Sequence, residues 1–269
     1  MTKTKSNSFR SWLSWGLLVT LFSISCWFLS QWQFSRQEEV HQANARISAN
    51  YDTQPVALEE LLNPVQVWDK ALEYRPVSIS GSYLPDQQFL IRNRPYDANP
   101  GFLQLIAFAT DGGSVIWIER GWLPTGSKSD NPDTIPAVDD THRQITVRLR
   151  PAEPKLNRTA PKGQLPSIDL QAASTGLQSS PIYTQAYGRL VSEEPKLQQG
   201  LAIAKPDLSD GNHLSYAFQW ILFGLMAIGA VFWTLSQERR RKKGLAPRKL
   251  KSLNRDKDAE VEDQILNRL

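Results

Sequence analysis

The stretch "LSYAFQWILFGLMAIGAVFWTLS", residues 214–236, decides the architecture of this chain, because it is long and apolar enough to cross a membrane. It lies in a run of 27 residues without a charged side chain, between Asp210 and Glu238. A helix that spans the hydrocarbon core of a bilayer, roughly 30 Å thick, needs about 20 apolar residues. We therefore predict a membrane-spanning helix over 213–236.

A second run of the same kind lies near the start of the chain. The stretch "SWLSWGLLVTLFSISCWFLS", residues 11–30, belongs to 25 uncharged residues between Arg10 and Arg36. No other part of the sequence is as long and as apolar. The chain is therefore predicted to be a membrane protein with two transmembrane α-helices, the first over 11–31, that flank one domain at 32–212.

The charged residues predict how the two spans are oriented. Residues 1–10 and 237–269 together carry a net charge of +8, whereas residues 31–212 carry −4. Lys and Arg collect on the cytoplasmic side of a membrane, and "QERRRKK", 237–243, directly follows the second span. We expect a cytoplasmic N-terminus, a basic cytoplasmic tail and an extracytoplasmic central domain. Because the basic excess lies beside anionic lipid headgroups, nucleic-acid binding is not indicated.

Cysteine usage excludes a disulfide framework. Cys26 is the only cysteine, and it lies inside the first span. The first run could instead be a cleaved signal peptide or a lipoprotein signal that ends at Cys26. However, no small-residue cleavage site follows it, and Ser23 stands where a lipoprotein signal carries an aliphatic residue.

Between the spans the sequence predicts an α+β domain rich in antiparallel β-sheet. The first helix continues to about residue 50, and a short helix in 53–63 ends at Pro64. Beyond it, apolar residues alternate with polar ones, as at Val77 and Ile79, which is typical of strands with one buried face.

Six runs are predicted to be strands: "YRPVSISGSY" (74–83), "QFLIRNRPY" (88–96), "GFLQLIAFAT" (101–110), "SVIWIERGWLP" (114–124), "RQITVRLR" (143–150) and "PIYTQAYGRLV" (181–191). The glycines of "DGG", 111–113, suit a tight hairpin between the third and fourth runs. Residues 151–181 show no periodicity and are predicted to form a long loop.

The sequence gives no sign of a familiar enzyme. None of the motifs GxSxG, HExxH, GxxxxGK[ST] and GxGxxG occurs. The three histidines, His41, His142 and His213, lie too far apart for metal-ligand spacing. We therefore predict no catalytic residues. The alternative, an extracytoplasmic enzyme, would need a cluster of polar catalytic side chains in the 32–212 domain, and the linear sequence does not reveal one.

The start of the second span carries a pattern that could hold a cofactor. On a helix, His213, Tyr216, Trp220 and Phe223 fall on one stripe. A haem needs an axial nitrogen ligand and an apolar wall, and this stripe offers both. The alternative is structural, because aromatic residues gather at membrane interfaces and a histidine beside Asn212 can belong to a helix cap. From the residues alone, both interpretations stay open.

Two residues outside this stripe are further candidates for the site. Arg120, within "ERGWLP" at 119–124, could pair with a carboxylate such as a haem propionate, or form a salt bridge with a neighbouring acidic residue. Trp32, four residues before Arg36 at the exit of the first span, is predicted to lie at the membrane interface.

Four segments together resemble the SURF1 family of cytochrome c oxidase assembly factors. They are "LSQWQFSR" (29–36), "VSISGSYL" (77–84), "IERGWLP" (118–124) and "NHLSYAFQWILFG" (212–224). Their order and spacing match the family over about residues 11–240. Ser30 stands where the family usually has glycine, and Glu119 where it has asparagine.

The resemblance implies a haem a chaperone of the bacterial inner membrane, with its central domain in the periplasm. It would receive haem a from haem a synthase and support insertion into cytochrome c oxidase subunit I. Haem iron would be bound by His213, with Tyr216, Trp220 and Trp32 lining the site and Arg120 as a propionate contact. The alternative function is a scaffold that holds an oxidase subunit or the synthase without binding haem.

Overall fold

The computed structural model describes residues 4–177 and 181–246, and the chain divides into two compact units. One unit comprises residues 1–38 and 211–269, and the other comprises residues 39–210. The predicted basic tail therefore lies outside the described residues beyond Ala246, as do three residues of the predicted long loop.

The described residues form α-helices at Thr4–Asn50 (α1), Leu58–Leu61 (α2), Leu170–Ala173 (α3) and His213–Lys242 (α4). The strands are Val56–Ala57 (β1), Pro76–Ile91 (β2), Gly101–Thr110 (β3), Val115–Pro124 (β4), Arg143–Pro151 (β5), Gln164–Leu165 (β6) and Ala186–Glu194 (β7). Short 3-10 turns lie at Lys70–Leu72 and Ser174–Gly176.

The two long helices have the length and composition of membrane spans. Leu13–Asn50 and His213–Lys242 reach mean hydropathies of 1.6 and 1.8 over their most apolar windows, and little of that surface is covered by protein. The predicted continuation of the first helix to about residue 50 is confirmed. α4 runs past residue 236, and its last turn carries Arg239–Lys242, which suits the negative end of a helix dipole.

Five strands of the second unit close into a ring. β2 pairs with β3, β3 with β4, β4 with β7, and β7 with β5, while β5 returns to β2. Each of these pairings is antiparallel except β4 with β7, which is parallel. β1 and β6 add short parallel pairings to β2. The predicted antiparallel sheet is therefore present for the most part, but it forms a closed barrel rather than an open sheet.

The alternation of side chains along the strands fills two hydrophobic clusters. On β3, Ile106 and Phe108 point to one cluster, whereas Leu105 and Ala107 point to the other. Both faces of β3 and β4 are therefore buried, as their nearly continuous apolar sequence requires. The predicted hairpin between them is confirmed, and Gly113 adopts the positive φ of 78° that its turn needs.

One strand replaces the first two predicted ones. Residues 74–83 and 88–96 were predicted as separate runs, but β2 continues from Pro76 to Ile91. Its register against β3 shifts between Tyr83 and Gln88, where the extra residues form a bulge. A bulge adds residues to one strand without ending it. The residues of this bulge interrupt the alternation of apolar and polar side chains, so the sequence predicted two strands where there is one.

The segment predicted as a long loop, 151–181, also contains structure. It holds β6, α3 and a 3-10 turn, and it buries Ile168, Leu170 and Ala173 in the second hydrophobic cluster. The prediction of a featureless loop was therefore wrong for the described part of this segment. Its few apolar residues pack against the barrel. They do not recur at the spacing typical of a helix or a strand, so they were not recognisable from the sequence.

Candidate functional site

The predicted site at the second span lies where α4 begins. Gly211 adopts a left-handed conformation, with φ at 64°, which favours glycine and turns the chain into the helix. The side chain of Asn212 makes no capping hydrogen bond. His213 is thus the first residue of the helix and stands half-buried at its N-terminal end.

His213 is oriented by a side chain of α1. Its Nδ1 lies 3.0 Å from Oε1 of Gln33. An amide oxygen only accepts hydrogen bonds, so Nδ1 is the donor in this pair, and Nε2 is the ring nitrogen that Gln33 does not engage. A methyl group added at Gly211 would lie 3.5 Å from Nε2, so the glycine leaves this edge of the ring uncrowded. Metal-binding histidines are commonly held in this way, with the second nitrogen donating to a neighbouring acceptor.

Close packing of α1 against α4 fixes the pair of Gln33 and His213. Cys26 and Ser30 of α1 are buried, as are Ala217 and Gly224 of α4. A Cβ atom at Gly224 would lie 3.5 Å from Cβ of Cys26, which is ordinary contact distance. Small residues at these positions let the two helix backbones approach each other. We call this contact the helix seam.

The predicted aromatic residues are placed unequally around His213. Trp220 is half-buried on the face of α4 that contains the seam, and its ring packs edge-on against Phe223 with centroids 5.9 Å apart. Tyr216 is 49 % exposed and Trp32 is 60 % exposed. Gln33 points towards the seam, where it contacts His213. Adjacent residues on a helix point about 100° apart, so Trp32 points away from the seam. Their roles in lining a site stay predictions.

Arg120 belongs to the other unit, where it lies inside the barrel. Its guanidinium is fully buried, and Nη2 lies 2.6 Å from Oε1 of Glu193. The hydroxyl of Tyr83 donates to the second carboxylate oxygen of Glu193 at 2.9 Å, and Arg120 lies over the Tyr83 ring. Burial, together with the charge of Glu193, raises the pKa of Tyr83. We call these three residues the barrel network.

The barrel network corresponds to the salt bridge that the sequence left open as the alternative for Arg120. The propionate contact of Arg120 stays a prediction, and none of its described contacts supports it. The neighbouring Gly121 has φ at 104°, and a Cβ atom there would lie 2.8 Å from the backbone of Gly200. This glycine lets the segment that follows β7 approach β4, where Gln198 accepts a hydrogen bond from Arg120.

Gln33 is the site residue that the sequence analysis missed. It stands within "LSQWQFSR", beside Trp32, whose aromatic ring drew the attention. A polar amide near the end of a predicted span needs a hydrogen-bond partner, and the other predicted span can supply one. This requirement, applied to both spans together, could have identified the pair with His213.

His213 is a residue that would hold the iron of a haem. No group of three or more His, Cys, Asp or Glu side chains able to hold a metal ion occurs among the described residues. A haem supplies the equatorial nitrogens itself, so that a single oriented imidazole can hold its iron. Gln33 engages Nδ1 of His213 and leaves Nε2 for a metal ion, and Trp220 provides an apolar surface on the same helix face.

Comparison with known proteins adds an independent finding. The sequence profile of the SURF1 family matches residues 20–225, which include the helix seam, the barrel and His213. An uncharacterized SURF1-like protein of Mycobacterium tuberculosis is 32 % identical over 267 residues, covering 96 % of this chain and 94 % of its own length.

Two relatives from eukaryotes are more distant. Surfeit locus protein 1 of Gallus gallus is 23 % identical and covers 86 % of this chain and 77 % of its own length. The cytochrome oxidase assembly protein SHY1 of Saccharomyces cerevisiae is 24 % identical and covers 68 % of this chain and 48 % of its own length.

Proposed function

This chain belongs to the SURF1 family, and on that premise we propose that it is an assembly factor for a haem-copper cytochrome c oxidase. The name of the yeast relative supports a role in oxidase assembly. We assign no catalytic residue to the chain. Its work would be to bind, orient and release other components of the oxidase.

The cargo of this assembly factor would be haem a, delivered from haem a synthase to oxidase subunit I. The hydrogen bond between Nδ1 of His213 and Gln33 carries this part of the proposal. It orients the ring so that Nε2, the nitrogen that Gln33 does not engage, would hold the haem iron. Trp220, Tyr216 and Trp32 would line the haem, with Trp220 on the same helix face as the ligand.

Membrane insertion is the second part of the proposal. Both long helices would span the bacterial inner membrane, with the termini in the cytoplasm and the barrel in the periplasm. Their apolar surfaces and the basic last turn of α4 support this orientation. His213 would then lie at the periplasmic boundary of the bilayer, where haem a has to be passed between two membrane proteins.

The test is the spectrum of the purified full-length protein from cells that make haem a. His213→Ala should lose the haem or shift its Soret band. Gln33→Leu should weaken haem binding by roughly 10- to 100-fold, the usual effect of losing such a supporting hydrogen bond. Gln31→Leu, at an exposed position two residues away on α1, is the matched control and should bind as the parent does. A His213→Ala protein with full and unshifted haem would exclude His213 as the ligand.

A second candidate function is a scaffold that binds an oxidase subunit or the synthase without haem. The segment before the first 3-10 turn favours it, because Val65 and Val67 are 85 % and 82 % exposed. Isolated exposed valines are common, but two so exposed on one short segment could form a protein contact. Co-purification of subunit I from haem a-deficient cells, lost in a Val65→Ser/Val67→Ser variant, would favour this function over haem delivery.

A further inference from the structure

Away from the helix seam, α1 and α4 leave a gap between the start of α1 and the end of α4. The gap contains an apolar cavity of about 640 Å³. A second cavity, of about 340 Å³, shares part of the same walls. Residues that line the larger cavity include Trp15, Gly16, Val19, Ala230, Thr234 and Leu235.

The walls of this cavity offer hydrocarbon surface. The hydroxyl of Thr234 donates to the carbonyl of Ala230 at 2.6 Å, so it is satisfied by its own helix. The hydroxyl of Thr20, on the wall of the smaller cavity, donates to the carbonyl of Gly16 at 2.8 Å. Ser23, on the wall of the smaller cavity only, has a buried hydroxyl without a hydrogen-bond partner in the described part of the chain. The hydroxyl of Thr234 in the larger cavity is paired and the other walls there are mainly apolar, so the larger cavity suits an apolar chain better than a polar ligand.

Two basic residues lie on α4 beyond the residues that line the cavity. Arg241 and Lys242 follow Thr234 and Leu235 by seven residues, which is two helical turns, or roughly 10 Å, along the same face of α4. Both side chains are exposed. Lys242 approaches Glu238 only at 3.8 Å, and Arg241 has no acidic partner among the described residues.

We propose that the cavity holds an acyl chain of an anionic phospholipid, and that Arg241 and Lys242 bind its headgroup phosphate. The inference rests on the membrane insertion proposed above and not on haem binding. His213 lies at the opposite end of α4, roughly 25 Å from Ala230 at about 1.5 Å per residue. The lipid site and the histidine site are therefore separate.

The shape of the gap favours a lipid chain over a helix of another protein. A helix with its side chains is about 10–12 Å wide. The two helices are close together at the seam, where a Cβ atom added at Gly224 would lie 3.5 Å from Cβ of Cys26. A flexible acyl chain can fill a space next to such a close approach, whereas a rigid helix needs its full width along its whole length.

The test uses full-length protein purified in a mild detergent. Dioleoyl phosphatidylglycerol or dioleoyl phosphatidylcholine is added, and the retained lipid is counted by native mass spectrometry. The parent should retain phosphatidylglycerol several-fold better than phosphatidylcholine. Replacing Arg241 and Lys242 by glutamine should abolish this preference, because the neutral residues cannot attract the anionic headgroup.

Two glycine variants test the cavity itself. A Cβ atom at Gly16 or at Gly229 meets nothing within 4 Å, so leucine is accommodated at either position. Only Gly16 lines the cavities, and Gly16→Leu should therefore lose the lipid while Gly229→Leu retains it. Equal retention by the two variants would overturn the proposal.

Two further results separate this inference from its alternatives. A protein that co-purifies with the parent and is lost in Gly16→Leu, without any lipid adduct, would overturn the proposal in favour of a partner helix. The haem spectrum of the same samples reports on His213 independently. Loss of lipid in Gly16→Leu with an unchanged haem spectrum supports the lipid site. A parent protein that stays soluble without detergent would overturn both the lipid site and membrane insertion.

Discussion

At the scale of single residues, the barrel network is the most unusual feature of the second unit. Arg120, Glu193 and Tyr83 bring two opposite charges and a neutral hydroxyl into an interior that is mainly apolar. A buried charge pair adds little net stability, because both ions lose their hydration. Removing one partner, however, leaves the other charge buried without compensation.

We predict that Arg120→Met destabilises the folded protein by about 3–5 kcal/mol, since Glu193 then stays buried and unpaired. Lys205→Met is the control. Lys205 pairs with Asp52 at an exposed position, and loss of such a pair should change stability by less than about 1 kcal/mol. Thermal unfolding of the full-length proteins in detergent measures both. Equal midpoints for the two variants would contradict the structural role of Arg120.

The partners of the site residues could not be predicted from the sequence. Arg120 is 73 residues from Glu193, and Gln33 is 180 residues from His213. Each pairing depends on which elements become neighbours in space, and local patterns carry no information on that. The residue types at the end of the predicted second span did identify His213 as a candidate, because a histidine and several aromatic residues fall on one stripe of that helix.

At the scale of secondary-structure elements, the helix seam makes a direct prediction. A Cβ atom at Gly224 would lie 3.5 Å from Cβ of Cys26, within the range of roughly 3.5–4.5 Å found in disulfides. Gly224→Cys should therefore form an intramolecular disulfide with Cys26, the only native cysteine, under mild oxidation. A change in mobility on non-reducing gels measures it.

Gly229→Cys is the matched control for the disulfide. A Cβ atom at Gly229 meets nothing within 4 Å, so a cysteine there should stay reduced within the monomer. If Gly229→Cys oxidised as readily as Gly224→Cys, the helices would not be held in the described register.

The parallel pairing of β4 with β7 predicts a pH effect. Glu119 lies opposite Arg189 in this register, and the two side chains form an ion pair at 2.8 Å. Burial nevertheless raises the pKa of Glu119 above its ordinary value, with Arg189 opposing the shift. The folded state therefore holds a proton more tightly than the unfolded state. The resulting stability is present below the unfolded pKa of about 4.5 and is lost as the pH rises through the folded pKa.

Glu119→Gln should remove this part of the pH dependence. The unfolding temperature of the parent should fall more steeply than that of the variant as the pH rises from about 4.5 towards neutrality. Glu194→Gln, at an exposed position of β7, is the control and should follow the parent. A parent and a Glu119→Gln variant with parallel profiles would show that Glu119 does not titrate in this range.

Local alternation predicted β3, β4 and β5 well, because each strand buries at least one face along its whole length. It failed at the bulge of β2, where Pro85 and Asp86 look like a turn although pairing with β3 resumes at Gln88. α3 was also missed, because a helix of one turn is too short to show a helical period.

At the scale of the whole molecule, the distribution of charge predicts which side of the membrane each part occupies. Alkaline phosphatase inserted after Asp130, in an exposed part of the barrel unit, should be active because that segment is exported. The same enzyme fused after Leu269 should be inactive, because the basic residues after the second span retain the tail in the cytoplasm. Activity of the C-terminal fusion would exclude the proposed orientation.

Hydropathy predicted the two apolar helices and the domain between them, because a long apolar helix is recognisable from its composition alone. The closure of the barrel was not predictable. It depends on β2 pairing with both β3 and β5, and nothing in the sequence of β2 reveals a second partner.

That closure also sets an order of events during synthesis. β7 is the last strand of the ring and closes it between β4 and β5, and it ends at Glu194, shortly before α4 begins at His213. Until β7 has left the ribosome, β4 and β5 present open edges to which any extended chain could pair. The nascent domain therefore spends nearly its whole translation unfinished and attached to α1. A nascent chain that stops before β7 therefore exposes two unpaired strand edges, which the complete domain covers.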